Sequence, residues 1–256
     1  MEIFEKFESE ILFEQPIKYL GITTYPVLMK DIFKFYKCAG ILLINPLDFN
    51  DPKVASMSYL ELVINLSLFQ EEFQKSFIQV LCMTMHITED DIRVESNENE
   101  DDETVNYTLL VKQNDKWKTI NGAMFTKIKN LICYQNGLEV INLRENQDVA
   151  KARKALAQQS GDGNPPSYAD QVYSVAVATN TDIREIMNWS INRFNETLKA
   201  CDRLMHYKIY RSAEMSGMVT FKNGSPIKSW LKSDGSKEGQ MKSVNEATSA
   251  FGGVVS

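Results

Sequence analysis

The chain has 256 residues, 43% of them hydrophobic and 24% charged, with a formal net charge of −6. That is material for one large domain or two small ones with an ample core, and the acidity argues against general affinity for nucleic acid, which would need a local basic face. The longest uncharged apolar stretches, such as Phe77 to Ile87, fall well short of the roughly 20 residues that span a bilayer, so no transmembrane helix and no membrane partner are expected.

The first residues, MEIFEKFESE, alternate acids with aromatics and lack the basic start and apolar run of a signal peptide, so the protein is expected to stay in the cytoplasm. Tyr25-Pro26 marks a helix start, because proline at the first helical position gives up only a donor that would be unpaired anyway. The helix is expected over Val27 to Ile44, with Asn45-Pro46 ending it. Ser58-Tyr-Leu-Glu61 matches a capping box and opens a helical run in which Leu60, Val63, Ile64, Phe69, Phe73, Phe77, Val80, Leu81 and Met85 return to one side as core. Gln70-Glu71-Glu72 is a candidate division of that run into two helices.

From Asp91 the period changes to two. Ile92 and Val94 alternate with polar neighbours, then Val105, Tyr107, Leu109 and Val111 do the same, and Asn114-Asp115 supplies a turn, so Tyr107 to Ile120 is expected to be a β-hairpin. Between the strands, Glu95 to Glu103 holds six carboxylates without the oxygen spacing or turning glycine of an EF-hand, which points to a solvated loop that could attract a basic partner. Phe125, Ile128, Ile132 and Cys133 recover helical spacing, and Asn136-Gly137 stops it.

Residues 1–143 are therefore expected to form a mainly helical domain with a small hairpin. Apolar residues thin out over 144–166, which reads as a linker, partly helical around Ala150 to Gln159. Residues 167–232 form a C-terminal helical unit, and 233–256 a polar tail. In that unit Ser167 to Ala178 is one helix and Asp182 to about Ser212 another, capped by Asp182. Met187, Ile191, Phe194, Leu198, Cys201 and Met205 advance by alternating steps of four and three, the pattern of a helix packed along its length. The fold class is α+β, predominantly helical.

Chemistry-bearing residues are sparse. Cys82 and His86 lie four apart on a predicted helix, but two ligands do not make a zinc site, and Cys201 and His206 diverge around theirs. Cys38, Cys82, Cys133 and Cys201 show no CxxC and are expected as buried free thiols. No GxSxG, HExxH or phosphate-cradling GxxxxGK[ST] occurs, so no enzyme, no metal and no cofactor are expected. Lys199 to Lys232 is locally basic and interleaved with Tyr207, Tyr210, Phe221 and Trp230, a combination that can hold single-stranded nucleic acid but that more often completes a core or meets acidic protein.

The segment HYKIYRSAEMSGMVTFKNGSPIKSW, His206 to Trp230, breaks a long amphipathic helix with glycines and a proline while apolar residues continue. It reads as a docking element, with Met205, Tyr207, Tyr210, Arg211, Met215, Met218, Phe221, Lys228 and Trp230 as the expected partner-binding residues. HYKIYRSAEMSGMVTFK and PIKSW, together with the upstream YPVLMKDIFKFYKC and MSYLELV, resemble proteins encoded among the tail-morphogenesis genes of contractile-tailed bacteriophages of the T-even type and their relatives. The resemblance covers most of residues 16–232 and is most specific over Tyr25 to Leu66 and Ala176 to Trp230. It implies assembly of the baseplate hub and the tape-measure protein, in the host cytoplasm and, if the protein is retained, in the virion tail or baseplate. Partners would be hub, tape-measure or other tail proteins, with self-association an open alternative, and the family offers no catalytic residues to carry over. The extension SDGSKEGQMKSVNEATSAFGGVVS and the segment Gly161 to Pro166 depart from the family pattern. A structural component kept in the mature particle and a nucleic-acid-binding protein are the alternative readings.

Overall fold

The computed structural model describes residues 5–46, 49, 52–98, 105–140 and 166–217. Near the N-terminus, helix α1 (Glu8–Leu12) leads into strands β1 (Ile17–Tyr19) and β2 (Ile22–Thr24), an antiparallel pair in which Tyr19 faces Ile22. Leu20 and Gly21 join them with φ of 51° and 81°, the two left-handed residues that a tight primed turn requires. Phe7, Ile11 and Ile17 cluster with Leu131, and Phe7 meets Tyr19 edge-on at 5.4 Å.

The helix expected from Val27 begins later. Val27 and Leu28 are bound from elsewhere in the chain: the Val27 N–H donates to Asn136 Oδ1 at 2.8 Å, the Val27 carbonyl accepts from Ile191 N at 3.0 Å, and Leu28 bridges to Ser190. Those backbone groups cannot also close helical hydrogen bonds. A 3-10 turn over Met29–Asp31 then starts α2 (Ile32–Ala39), and a second 3-10 turn covers Gly40–Leu43.

After the short α3 (Pro52–Ser56), the capping box forms at the start of α4 (Tyr59–Phe69). The Ser58 N–H donates to Glu61 Oε2 at 2.6 Å and the Glu61 N–H to Ser58 Oγ at 3.3 Å, so two otherwise orphaned donors are satisfied. Gln70 is extended and separates α4 from α5 (Glu71–Met85). Phe69, expected in the core, is 86% exposed, because the break at Gln70 takes it out of the common helical face. His86 ends α5 in the left-handed conformation and stacks on Tyr25 at 3.9 Å.

Strands β3 (Ile92–Glu98), β4 (Val105–Gln113) and β5 (Lys116–Ile120) form an antiparallel sheet with Ile92 opposite Val111 and Leu109 opposite Ile120. Asn114 and Asp115 both have positive φ, so the β4–β5 hairpin turns as its sequence predicts. Helix α6 (Gly122–Gln135) follows its cap, Asn121, whose side chain accepts from Met124 N. A Cβ at Gly122 would lie 2.6 Å from Ser58 Oγ, so this close approach of α6 to the α4 cap requires glycine. Phe125 on α6 packs against Phe77 and Tyr59, with ring centroids 5.7 and 6.3 Å away.

Helix α7 (Tyr168–Thr179) is capped by Ser167 and Asp170 and buries Val172 and Val175. Tyr168 meets Phe33 at 5.3 Å and Phe194 at 6.0 Å. The single helix expected from Asp182 is two: α8 (Ile183–Ile186) and α9 (Ile191–Met215). The break over Met187 to Ser190 has the same cause as the late start of α2, since the Met187 and Trp189 carbonyls accept from Lys30 N and Met29 N. Glu14 locks the break, accepting from the Ser190 N–H and pairing with Arg193 at 3.1 Å.

The fold is mostly helical with small antiparallel sheets. The chain divides into two compact units, Met1–Asn195 and Glu196–Ser256, so the division falls inside α9. The first unit has a core that includes Phe35, Leu60, Leu81, Leu109, Phe125 and Phe194. The expected linker up to residue 165 and the polar tail 233–256 lie outside the described residues. Of the acidic stretch 95–103, expected as a loop, residues 95–98 instead belong to β3, where pairing with β4 claims their backbone, and 99–103 lie outside the described residues. Among the described residues no helix is long and apolar enough to cross a membrane.

Candidate interaction surface

From Glu196 onward, α9 is held by contacts along its own length. Lys199 pairs with Glu196 at 2.7 Å and Arg211 with Glu214 at 2.9 Å, while His206 Nε2 lies 3.8 Å from Asp202 Oδ1. These are the i, i+3 and i, i+4 spacings at which helical side chains become neighbours. The Arg211 guanidinium also lies over the Tyr207 ring at 5.6 Å, and His206 meets Tyr210 edge-on.

The apolar residues of this stretch become more exposed along the helix. Leu198 and Cys201 are half-buried, whereas Met205 is 52% exposed, Ile209 60% and Met215 86%. At about 100° per residue, Cys201, Met205 and Ile209 form one ridge. Tyr207, Arg211 and Met215 form another ridge, on a different side of the helix. The expected binding residues Met205, Tyr207, Tyr210, Arg211 and Met215 thus share an element but not a face. Met218, Phe221, Lys228 and Trp230 lie outside the described residues. Ile209 was not among the expected residues, although its place four positions after Met205 was a readable signal.

The possible metal ligands have other roles. Burial pushes the Cys82 thiol up, reinforced by Glu89 and Asp91, and burial lowers the pKa of His86, which caps α5 against Tyr25. Among the described residues no group of three or more His, Cys, Asp or Glu side chains is placed to hold a metal ion. All four cysteines are free; Cys38 and Cys133 are buried, while Cys82 and Cys201 are only half-buried, short of the full burial expected of them. A polar cleft of about 310 Å³ is lined by Thr23, Tyr25, His86, Asp91, Lys112 and Gln113 among others. Its Gln113 amide clamps β2 to the end of α5, accepting from Thr23 N and donating to the Thr23 and Met85 carbonyls at 2.9 and 3.0 Å. Lys112 pairs there with Asp115, and Asp91 accepts from the Thr88 N–H and hydroxyl.

Residues 158–233 match the family model described as the YomV second domain. That family is phage-derived, and the match suggests a phage-associated protein. It covers less than a third of the chain, includes the segment Ala176 to Trp230, and does not include Tyr25 to Leu66. No curated protein and no solved structure matches the chain.

Proposed function

We propose that the chain is a non-enzymatic phage tail assembly protein that binds and positions, or chaperones, a baseplate-hub or tape-measure component in the host cytoplasm. The observation that carries this reading is the exposed apolar ridge of α9, with Met205 and Ile209 more than half exposed inside the segment that matches a phage-derived family. An amphipathic helix that offers such a ridge suits a groove or a second helix on a partner. Methionine suits it further, because its flexible thioether adapts to irregular surfaces. The action is stoichiometric: a partner's assembly-prone helix is covered until it is placed. Between residues 196 and 217, Lys199, Arg203, Lys208 and Arg211 stand beside Glu196, Asp202 and Glu214. Charge that balanced favours a protein partner over nucleic acid.

The test is co-expression of the tagged full chain with the hub and tape-measure proteins of the phage that encodes it. The wild-type chain is expected to capture one of them in stoichiometric amount. The double variant Met205→Asp, Ile209→Asp should lose at least tenfold of that capture with an unchanged circular dichroism spectrum. Equal capture by the variant, or no capture by the wild type, would sink the proposal. The same assay on Phe221→Ala, Trp230→Ala asks whether the segment after α9 contributes. Mass spectrometry of purified virions separates an assembly factor, absent from the particle, from a retained tail component. Salt-dependent retention of labelled DNA that Met205→Asp, Ile209→Asp leaves intact would favour nucleic acid instead.

A further inference from the structure

Two short helices of the first compact unit present outer faces of opposite charge. On α1 and just before it, Glu5, Glu8, Leu12 and Phe13 are exposed, Leu12 at 69% and Phe13 at 66%, while Ile11 faces the core. Glu8 and Leu12 are four apart and lie on one side of the helix. Lys6, the cation of this stretch, is drawn away over the Phe7 and Tyr19 rings at 5.2 and 5.3 Å, and Glu14 is held by Ser190 and Arg193. That leaves an acidic and apolar face. On α2, Ile32, Phe35, Cys38 and Ala39 are buried, whereas Phe33, Lys34, Tyr36 and Lys37 are exposed, as is Lys30 in the turn before. Phe33 remains 67% exposed although its ring meets Tyr168 edge-on. The acid beside these lysines is Asp31, half-buried and 3.7 Å from Lys34. Among the described residues, Lys30, Lys37, Glu5 and Glu8 have no ion-pair partner. The α2 face is therefore basic and aromatic.

We infer that the chain self-associates head to tail, the α1 face of one copy (Glu5, Glu8, Leu12, Phe13) seating on the α2 face of the next (Phe33, Lys34, Tyr36, Lys37). Charge decides the occupant. Pairing α2 with α2 opposes lysines to lysines in any register, and pairing α1 with α1 opposes glutamates to glutamates, because the free charges of each face share one sign. Only the unlike pairing sets opposite charges together. It also takes the exposed Leu12, Phe13 and Phe33 side chains out of water, which drives association. Within one chain the two faces do not cover each other, since these side chains are exposed there, so the contact lies between copies. Each pairing leaves a free α1 face at one end and a free α2 face at the other, so copies keep adding until a ring closes or a filament grows. An anionic partner of another kind answers the lysines but leaves the α1 face unmatched. Both faces belong to the first compact unit and are independent of the α9 ridge.

The test is sedimentation of the full chain from micromolar to millimolar concentration at low salt. The mass of the wild type is expected to rise beyond two copies, and to fall back as salt screens the paired charges. Leu12→Ser, Phe13→Ser and, separately, Phe33→Ser, Tyr36→Ser should each weaken self-association at least tenfold with an unchanged circular dichroism spectrum. An equal mixture of these two variants should form a dimer and stop there, because each variant keeps one intact face. Lys34→Glu, Lys37→Glu should also be monomeric, and adding Glu5→Lys, Glu8→Lys to it should restore assembly. The inference is overturned if the wild type stays monomeric or stops at two copies, if the mixture does not dimerise, or if the combined charge reversal restores nothing. It is also overturned if Met205→Asp, Ile209→Asp abolishes assembly, which would give the contact to α9. Retention of single-stranded DNA by a monomeric wild type, lost in Lys34→Glu, Lys37→Glu, would overturn it in favour of nucleic acid on α2.

Discussion

Helix α9 belongs to two different regimes. At its start, Ile191 and Phe194 are fully buried, and the preceding backbone is tied through Ser190, Trp189 and Met187 to Leu28, Met29 and Lys30. From Glu196 on, the same helix keeps a similar apolar period, yet Met205 and Ile209 are more exposed than covered and the polar contacts described are local ion pairs. Periodicity therefore says which side chains share a face. It does not say whether that face is covered. In a structural core both hold; at a binding surface only the first does.

This contrast makes four predictions, beginning with the largest. Phe125→Ala, deep in the first unit against Phe77 and Tyr59, should cost about 3–5 kcal/mol in chemical denaturation, the range for removing a buried aromatic. A loss under 1 kcal/mol would mean that this core tolerates cavities, and the contrast with α9 would blur.

Asn136→Ala should cost about 1–3 kcal/mol, because it leaves the buried Val27 N–H without its acceptor. It should also speed amide exchange at Val27. Unchanged exchange there would show that the extended 27–28 segment does not depend on Asn136.

The third prediction concerns alkaline pH. Burial pushes the Cys38 and Cys133 thiols up to about 11 from an ordinary 9.0. A raised folded-state pKa means that the folded chain holds the thiols neutral, so their contribution is intact below pH 9 and is lost as pH rises towards 11. Lys129 acts in the opposite sense, since burial lowers its pKa. The two thiols together should prevail, and the melting temperature should fall between pH 9 and 11, less so in Cys38→Ala. A flat profile would contradict the assignment. In the same frame, the half-buried Cys201 should react with Ellman's reagent at pH 8 before Cys38 or Cys133 does.

The smallest effect on stability is expected from Met205→Ser, Met215→Ser, within about 0.5 kcal/mol, as for exposed positions in general. If denaturation instead shows a loss of 2 kcal/mol or more, the α9 methionines are structural and the contrast between the two halves of the helix fails.

Much of the fold was legible in the sequence where the governing interactions are local. The Ser58-Glu61 box, the Asp182 cap, the stop at Asn136-Gly137 and the Asn114-Asp115 turn are each satisfied by groups within a few residues. The Leu20-Gly21 hairpin was not legible, because leucine at a left-handed turn position carries no turn signal. The candidate surface was legible as an element but not as a face. Met205, Tyr207, Tyr210, Arg211 and Met215 were read together from composition, whereas helical geometry separates Met205 and Ile209 from Tyr207, Arg211 and Met215.

By itself, the sequence determined the mostly helical α+β class, the cap of α4, the break between α4 and α5, the stop of α6, and the register-setting turn of the β4–β5 hairpin, since interactions between near neighbours decide these. Only the tertiary structure decided that Val27 and Leu28 are extended, that Met187 to Ser190 interrupts a helix, and that Phe69 is exposed. At the first two sites, partners some 110 to 160 residues away claim the backbone groups that a local helix would use. At Phe69 the local break at Gln70 was readable, but which side of it would be covered depended on how α4 and α5 pack.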